Sequence, residues 1–315
     1  MSNAFDRIKY GLSQIAENGR SLNWWRGTLM RRGNGAIQTK LYPGRRGIDV
    51  VDADWDTLVV LDACRADLFE EFVDLDQFDD YRAETSRASA TPEWLPVSFP
   101  DEYGDIVYVS GNPQVSKKVP DKWHKLLEVW QDAYDDDVEA ILPGPIIDAA
   151  IRAREEYPDK RLIVHLMQPH VPFVGRPDLH FCTYQLFEDL DMDGDDRAGN
   201  VFEAAAKGIV DEEEMWQAYG ENLTYAMDEV QRLIDAFDER IVLTSDHGNV
   251  VEAKSWPLPF TYHQHLPYHR HPGLVTVPWA VLDGERPTIT DDGVESSSRA
   301  TSAEVTERLE NLGYK

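Results

Sequence analysis

At 315 residues, with 42% hydrophobic and 10% aromatic content, the chain can bury a sizeable core in one large α/β domain or two small ones. Its 31 basic against 58 acidic residues leave a net charge of −27, which repels phosphate backbones and argues against general nucleic-acid binding. The two cysteines, Cys64 and Cys182, lack metal spacing, and no apolar run of about 18 residues or signal-peptide core is present, so a soluble, cytoplasmic protein without a disulfide framework is expected.

The first segment differs from the rest. Residues 1–46 carry nine Lys/Arg against two acids, which marks 1–50 as a basic N-terminal arm before a single domain over 51–315. Phe5, Ile8, Leu12 and Ile15 fit an amphipathic helix, and Trp24–Trp25 beside Arg26 fit a peripheral membrane or protein contact. Packing of the arm onto its own acidic domain is the preferred reading. Elsewhere acidic residues crowd loops and helix faces (Asp135–Asp137, Asp211–Glu214) and Arg outnumbers Lys, as on a halophilic, salt-adapted surface.

From residue 55 onward, short apolar runs read as buried strands: TLVVL (57–61), DIVYVS (105–110), RLIVHLM (161–167), RIVLTS (240–245) and VPWAVL (277–282). Helical patterns lie between them, the clearest placing Trp216, Tyr219, Leu223, Ala226, Val230 and Leu233 on one apolar stripe. Alternating strands and helices predict a three-layer α/β/α sandwich with a mostly parallel central sheet, its functional groups at the carboxyl ends of the strands. TLVVL ends at Asp62, RLIVHLM at Gln168-Pro169-His170, and RIVLTS at Asp246-His247. A single Asp after a strand is more often a turn former or helix cap than a ligand. Carboxylates gathered at one sheet edge are costly without a cation between them, so one divalent metal ion held by Asp62, Asp246 and His247 is expected. Mixed oxygen and nitrogen donors place Zn²⁺ or Mn²⁺ ahead of Mg²⁺ or Ca²⁺.

Four stretches in order, LVVLDACRADLFEEF, MQPHVPF, YGENLTYAMDEVQRLID and IVLTSDHGNV, resemble the alkaline phosphatase superfamily in its sulfatase-like and phosphoglycerol-transferase-like branch. The likeness covers roughly residues 55–283 and implies an alkaline-phosphatase-like fold. It implies Asp62, Asp246 and His247 as metal ligands and His170 as a contact to the substrate's anionic group. A histidine before a Val-Pro strand start is also implied; His269 and His271 precede Val277-Pro278, and His271 is preferred. The implied nucleophile lies at a helix start, where Ser86, Ser89 and Thr91 are available. Thr91-Pro92-Glu93 reads as a helix N-cap with Pro at the first helical position, which favours Thr91 over Ser89, with an ordinary cap as the plain alternative. Metal coordination by Thr91 would lower the pKa of its hydroxyl. The implied reaction moves the group of a phosphate ester, less readily a sulfate ester, to water or a sugar or polyol hydroxyl, from a small-molecule, glycan or lipid substrate. In it, His170 and His271 hold oxygens or protonate the leaving group. The alternative is a catalytically inactive relative that binds an anionic ligand or a partner.

The pattern also has departures. No Cys-x-Pro-Ser-Arg surrounds either cysteine, Ala63 follows Asp62 where sulfatases carry a second Asp, and Gln168 stands where a carboxylate would bind a second metal. One metal is therefore expected. Arg65 and Arg87 are candidate anion clamps, Arg65 equally a structural ion-pair partner. DLDMDGDDRAGN (189–200) partly matches a calcium loop but ends in Asn200 where Glu belongs, and 175–210 reads as an insertion or lid. His263, His265, His269 and His271 fit either a second metal or hydrogen-bonding filler.

Overall fold

The computed structural model describes residues 20, 22–41, 47–181, 198–295 and 300–311. Helix α1 (Leu22–Leu41) precedes β1 (Thr57–Asp62) and α2 (Ala66–Phe72). Strand β2 (Asp80–Thr85) leads to α3 (Thr91–Ser98), β3 (Tyr103–Ser110) to α4 (Pro113–Lys118), and β4 (Trp123–Leu127) to a ribbon of β5 (Tyr134–Asp135) and β6 (Ala140–Ile141). Next come α5 (Pro143–Glu156), β7 (Arg161–Pro169), α6 (Val201–Ala206), α7 (Glu212–Ala236) and β8 (Ile241–Ser245). An antiparallel pair, β9 (Val250–Lys254) and β10 (Thr261–Gln264), then α8 (Pro272–Val275), β11 (Thr276–Leu282) and α9 (Ser302–Asn311) complete the order.

Seven strands form one sheet in the order β2-β11-β8-β1-β7-β3-β4, in which β11 alone runs against its neighbours. Side-chain alternation sets the layers. Val59, Leu61, Val107, Val109, Leu162 and Leu243 pack beneath α2, α5, α7 and α9. Leu58, Val60, Ile106, Tyr108, Ile163 and Val242 point the other way, beneath α3 and α4 with Trp94, Phe99 and Trp123. The protein is thus a three-layer α/β/α sandwich around a mostly parallel sheet. All five expected strands are present, and α7 buries Tyr219, Leu223, Ala226, Val230 and Leu233 as its stripe predicts.

Strand β2 is an addition to the sequence reading. Its side chains are exposed or half-buried, so no apolar run marks it, yet it forms a sheet edge by pairing with β11 from Thr85↔Thr276 to Asp80↔Val281. Helix α1 lies against the loop between β9 and β11. Asn34 Nδ2 donates to Ser255 Oγ at 2.8 Å and to Leu258 O at 2.6 Å, and Arg270 N donates to Gln38 Oε1 at 2.6 Å. No described helix is long and apolar enough to cross a membrane. The expected helix around Phe5–Ile15, the Trp24 and Trp25 side chains, Cys182 and residues 189–197 of the acidic stretch lie outside the described parts. Asn200, at the end of that stretch, caps α6 by accepting from Glu203 N at 2.9 Å.

Candidate active site

The sheet order brings the residues that follow β1, β2, β3, β7 and β8 to one edge, together with those that precede the reversed strand β11. Asp62 ends β1, Asn112 follows β3, His170 follows β7 and Asp246-His247 follow β8. Strand β2 ends at the same edge and hands the chain to the turn that starts α3 at Thr91.

Asp62, Thr91, Asp246 and His247 are fully buried there. His247 Nε2 lies 3.7 Å from Asp62 Oδ1, 3.5 Å from Asp246 Oδ2 and 3.3 Å from Thr91 Oγ1. The Nδ1–H of His247 donates to Gly248 O at 2.9 Å, which leaves the Nε2 lone pair turned toward both carboxylates. Such a grouping is repulsive without positive charge in its midst. His165 adds to it: one ligand atom from each of Asp62, His165 and Asp246 lies within 4.8 Å of the others. The Nδ1 of His165 is 2.7 Å from Tyr108 Oη, while His165 Nε2 and Asp246 Oδ2 are buried without a hydrogen-bond partner among the described residues. Two carboxylates and two imidazoles, with buried polar atoms left over, could hold a metal cation.

Neighbouring groups fix these side chains. Asp62 Oδ2 accepts from Asn112 Nδ2 at 2.5 Å, and Asn112 is itself held by its cap to Gln114 N at 2.8 Å. Ala63 adopts a left-handed φ of 60°, which turns its N–H to Asp246 Oδ1 at 3.1 Å and its carbonyl to the Tyr219 hydroxyl. Gly248 is required for close packing, since a Cβ there would stand 2.3 Å from Gly273 O. Burial works to raise the Asp246 carboxyl, but His247, His165, Thr91 and the Ala63 N–H outweigh it and hold the group below its usual value. Burial pushes His165 and His170 down to about 4 and His265 well below the ordinary imidazole range, so all three rings are neutral.

No family model matches the chain, and no curated protein matches its sequence. Among solved structures it is similar to the soluble domain of lipooligosaccharide phosphoethanolamine transferase A from Neisseria meningitidis, at 13% identity over 71% of this chain and 75% of that one, with a TM-score of 0.47. It is also similar to the C-terminal periplasmic domain of phosphoethanolamine transferase EptC from Campylobacter jejuni, at 17% identity over 72% and 78% of the two chains, TM-score 0.44. A third likeness is to the corresponding EcEptC domain from Escherichia coli in complex with Zn, at 14% identity over 76% of each chain, TM-score 0.43.

The remaining sequence candidates separate in space. Thr91 is not the N-cap of α3: Ala90 holds that position, Thr91 is the first helical residue, and its hydroxyl turns to His247 instead. Ser89 faces elsewhere, donating to Leu266 O at 2.9 Å and sitting 3.3 Å from Glu93 Oε2, while Ser86 donates to Asp246 O at 2.5 Å. His170 keeps its Nδ1–H on Val171 O at 2.6 Å, and its ring lies 5.2 Å from that of His265. His265 in turn lies 4.6 Å from the His247 ring and is tethered through Nδ1 to Asn249 Oδ1 at 3.0 Å. His271 instead caps α8, its Nδ1 accepting from Gly273 N at 3.1 Å. Neither arginine has the character of an anion clamp: Arg65 pairs with Asp67 at 2.5 Å and lies over the Trp216 ring, and Arg87 pairs with Asp49 at 2.6 Å. In the sequence, His165 stands inside an apolar strand and His265 is one of four loop histidines. The available signal for His165 was an ionisable residue in an otherwise apolar central strand, which needs a polar partner when buried.

Proposed function

We propose that this protein is a metal-dependent phosphoester transferase or hydrolase with Thr91 as nucleophile. The observation that carries the reading is the Thr91 hydroxyl, which does not cap its own helix and stands 3.3 Å from His247 Nε2 in a buried group with Asp62 and Asp246. Asp62, Asp246, His247 and His165 would hold the ion, which when bound lowers the pKa of an adjacent alcohol and neutralises oxygens of the transferred group. Thr91 Oγ1 forms a bond to phosphorus as the ester oxygen leaves, and water or an acceptor hydroxyl then displaces Thr91 in the second step. The leaving oxygen needs a proton. His170 and His265 are neutral as they stand, but an anionic group arriving beside them favours their protonated forms and equips either to supply it. The substrate class is a phosphate ester of a small molecule, glycan or lipid, with sulfate esters less favoured.

The test uses the full chain, stripped by a chelator and reloaded with Zn²⁺ or Mn²⁺, against p-nitrophenyl phosphate, bis-p-nitrophenyl phosphate and p-nitrophenyl sulfate. Metal-dependent turnover of a phosphate ester is expected, reduced about 10³-fold or more in Thr91→Ala and Asp246→Ala and by less than about tenfold in Ser89→Ala. A protein that binds no metal and turns over none of the three would instead be a binder of anions or partners. Preference for the sulfate ester would reassign the substrate class.

A further inference from the structure

Two segments distant in sequence are free of carboxylates in a chain that carries 58. Residues 18–48 hold seven Lys/Arg and no Asp or Glu, and residues 253–282 hold Lys254, Arg270 and four His, again with no acid. The fold packs α1 of the first segment on residues 255–270 of the second. Besides the Asn34 and Gln38 hydrogen bonds to residues 255–270, a Cβ at Gly35 would lie 3.1 Å from Tyr268 Cβ, and one at Gly33 would lie 3.5 Å from Leu258. Arg31 also lies near enough to His269 to help hold that imidazole down, an effect added to burial. Large apolar side chains project from the same unit: Leu29 and Leu41 are each 70% exposed, Tyr268 52%, Trp256 42% and Leu258 39%. These are five of the seven exposed large hydrophobics among the described residues, so the exposure is concentrated here, beside the exposed Arg31, Arg32 and Lys40.

We propose that α1 and the 254–271 loop form a docking surface for an anionic lipid bilayer. A molecule with a net charge of −27 is repelled by such a membrane over most of its surface, and a face built from two segments that themselves carry no Asp or Glu is where it can approach. Trp, Tyr and Leu beside Arg and Lys form the mixed apolar and basic chemistry that settles at a headgroup boundary. Because His265 belongs to the same loop, docking brings the candidate site close to the lipid surface.

Phospholipids are themselves phosphate esters, so flotation of the full-length Thr91→Ala variant with vesicles, with chelator present, tests this independently of the Thr91 chemistry. Vesicles of phosphatidylcholine with about 30% phosphatidylglycerol should carry the protein, those of phosphatidylcholine alone should not, and added salt should weaken the association. The paired change Trp256→Ser with Leu258→Ser should cut partitioning about tenfold, and Arg31→Glu with Arg32→Glu at least as much. Lys125→Glu with Arg152→Glu, near the β4 edge of the sheet, should leave it unchanged. Circular dichroism confirms that each variant is folded. Absence of flotation, equal flotation with neutral vesicles, or insensitivity to the α1 and loop substitutions would overturn the proposal. So would a stable dimer broken by those substitutions, which would assign the face to a second copy of the chain.

Discussion

His165 stands in the middle of a central strand, beyond the reach of water, grouped with Asp62 and Asp246, with one nitrogen 2.7 Å from Tyr108 Oη and the other without a hydrogen-bond partner among the described residues. An imidazole so placed is an expense in a metal-free protein and a ligand or close support in a loaded one. His165→Leu should therefore weaken Zn²⁺ affinity about 10- to 100-fold, measured by competition with a chromogenic chelator. Without metal, combining it with Tyr108→Phe, which removes the hydroxyl that would otherwise lose its partner, should leave the protein no less stable than the parent in urea. A second comparison separates two loop histidines: His265→Ala should reduce phosphoester turnover, whereas His271→Ala should act mainly on stability through its α8 cap. Asp62, Asp246 and His247 were legible in the sequence because each ends an apolar run. His165 was not, since strand periodicity hides a residue type behind its position. His265 was not separable from its three neighbours, because the path of a loop decides which ring turns inward.

At the scale of elements, α3 and the histidine loop are joined by a buried ion pair. Arg270 Nη2 lies 2.6 Å from Glu93 Oε1, and Glu93 Oε2 accepts from Tyr268 N at 2.8 Å and receives Arg270 Nη1 at 3.2 Å. Arg270 also donates to Arg87 O at 3.0 Å, so one guanidinium ties the turn before Thr91 to the loop that carries His265. Removing one partner strands the other charge. Glu93→Leu or Arg270→Met alone should each cost about 3–5 kcal/mol in urea unfolding, and the double variant much less than their sum. The pair escaped the sequence reading because Glu93 looks like an ordinary acid in a first helical turn. Strand β2, which delivers this turn to the site, escaped it too: an edge strand with exposed side chains has no buried face to impose an apolar period.

Over the whole molecule, the neutral buried imidazoles make stability depend on pH. His165 and His170 have folded values of about 4 against an ordinary 6.5, so the unfolded chain takes up protons first as the medium acidifies. Stability should be full above pH 6.5 and decline as pH falls toward about 4, by on the order of 3 kcal/mol for each such ring. Asp246 acts in the next window, because its carboxyl is held below 3.8: its contribution is present above that value and is lost on further acidification. Urea unfolding at pH 7, 5.5 and 4 with chelator present measures the first decline, and a flat profile would contradict neutral rings in the native state. Saturating Zn²⁺ should raise stability at pH 7 by mass action, and less at pH 4, where protons compete for the nitrogens.

Hydrophobic period and residue type are local properties, and they alone specified the alternating strands and helices, the three layers, and the carboxylates and imidazoles waiting at strand ends. Which of those groups meet is a matter of strand order. Neighbouring β8, β1 and β7 come from chain positions more than a hundred or nearly two hundred residues apart in the case of β1, and only their side-by-side register sets Asp246, Asp62 and His165 together. The same holds for the hydroxyl. Thr91 and Ser89 are two residues apart and chemically alike, but the backbone leaving β2 turns one toward His247 and the other toward Glu93, a choice made by packing across the sheet edge.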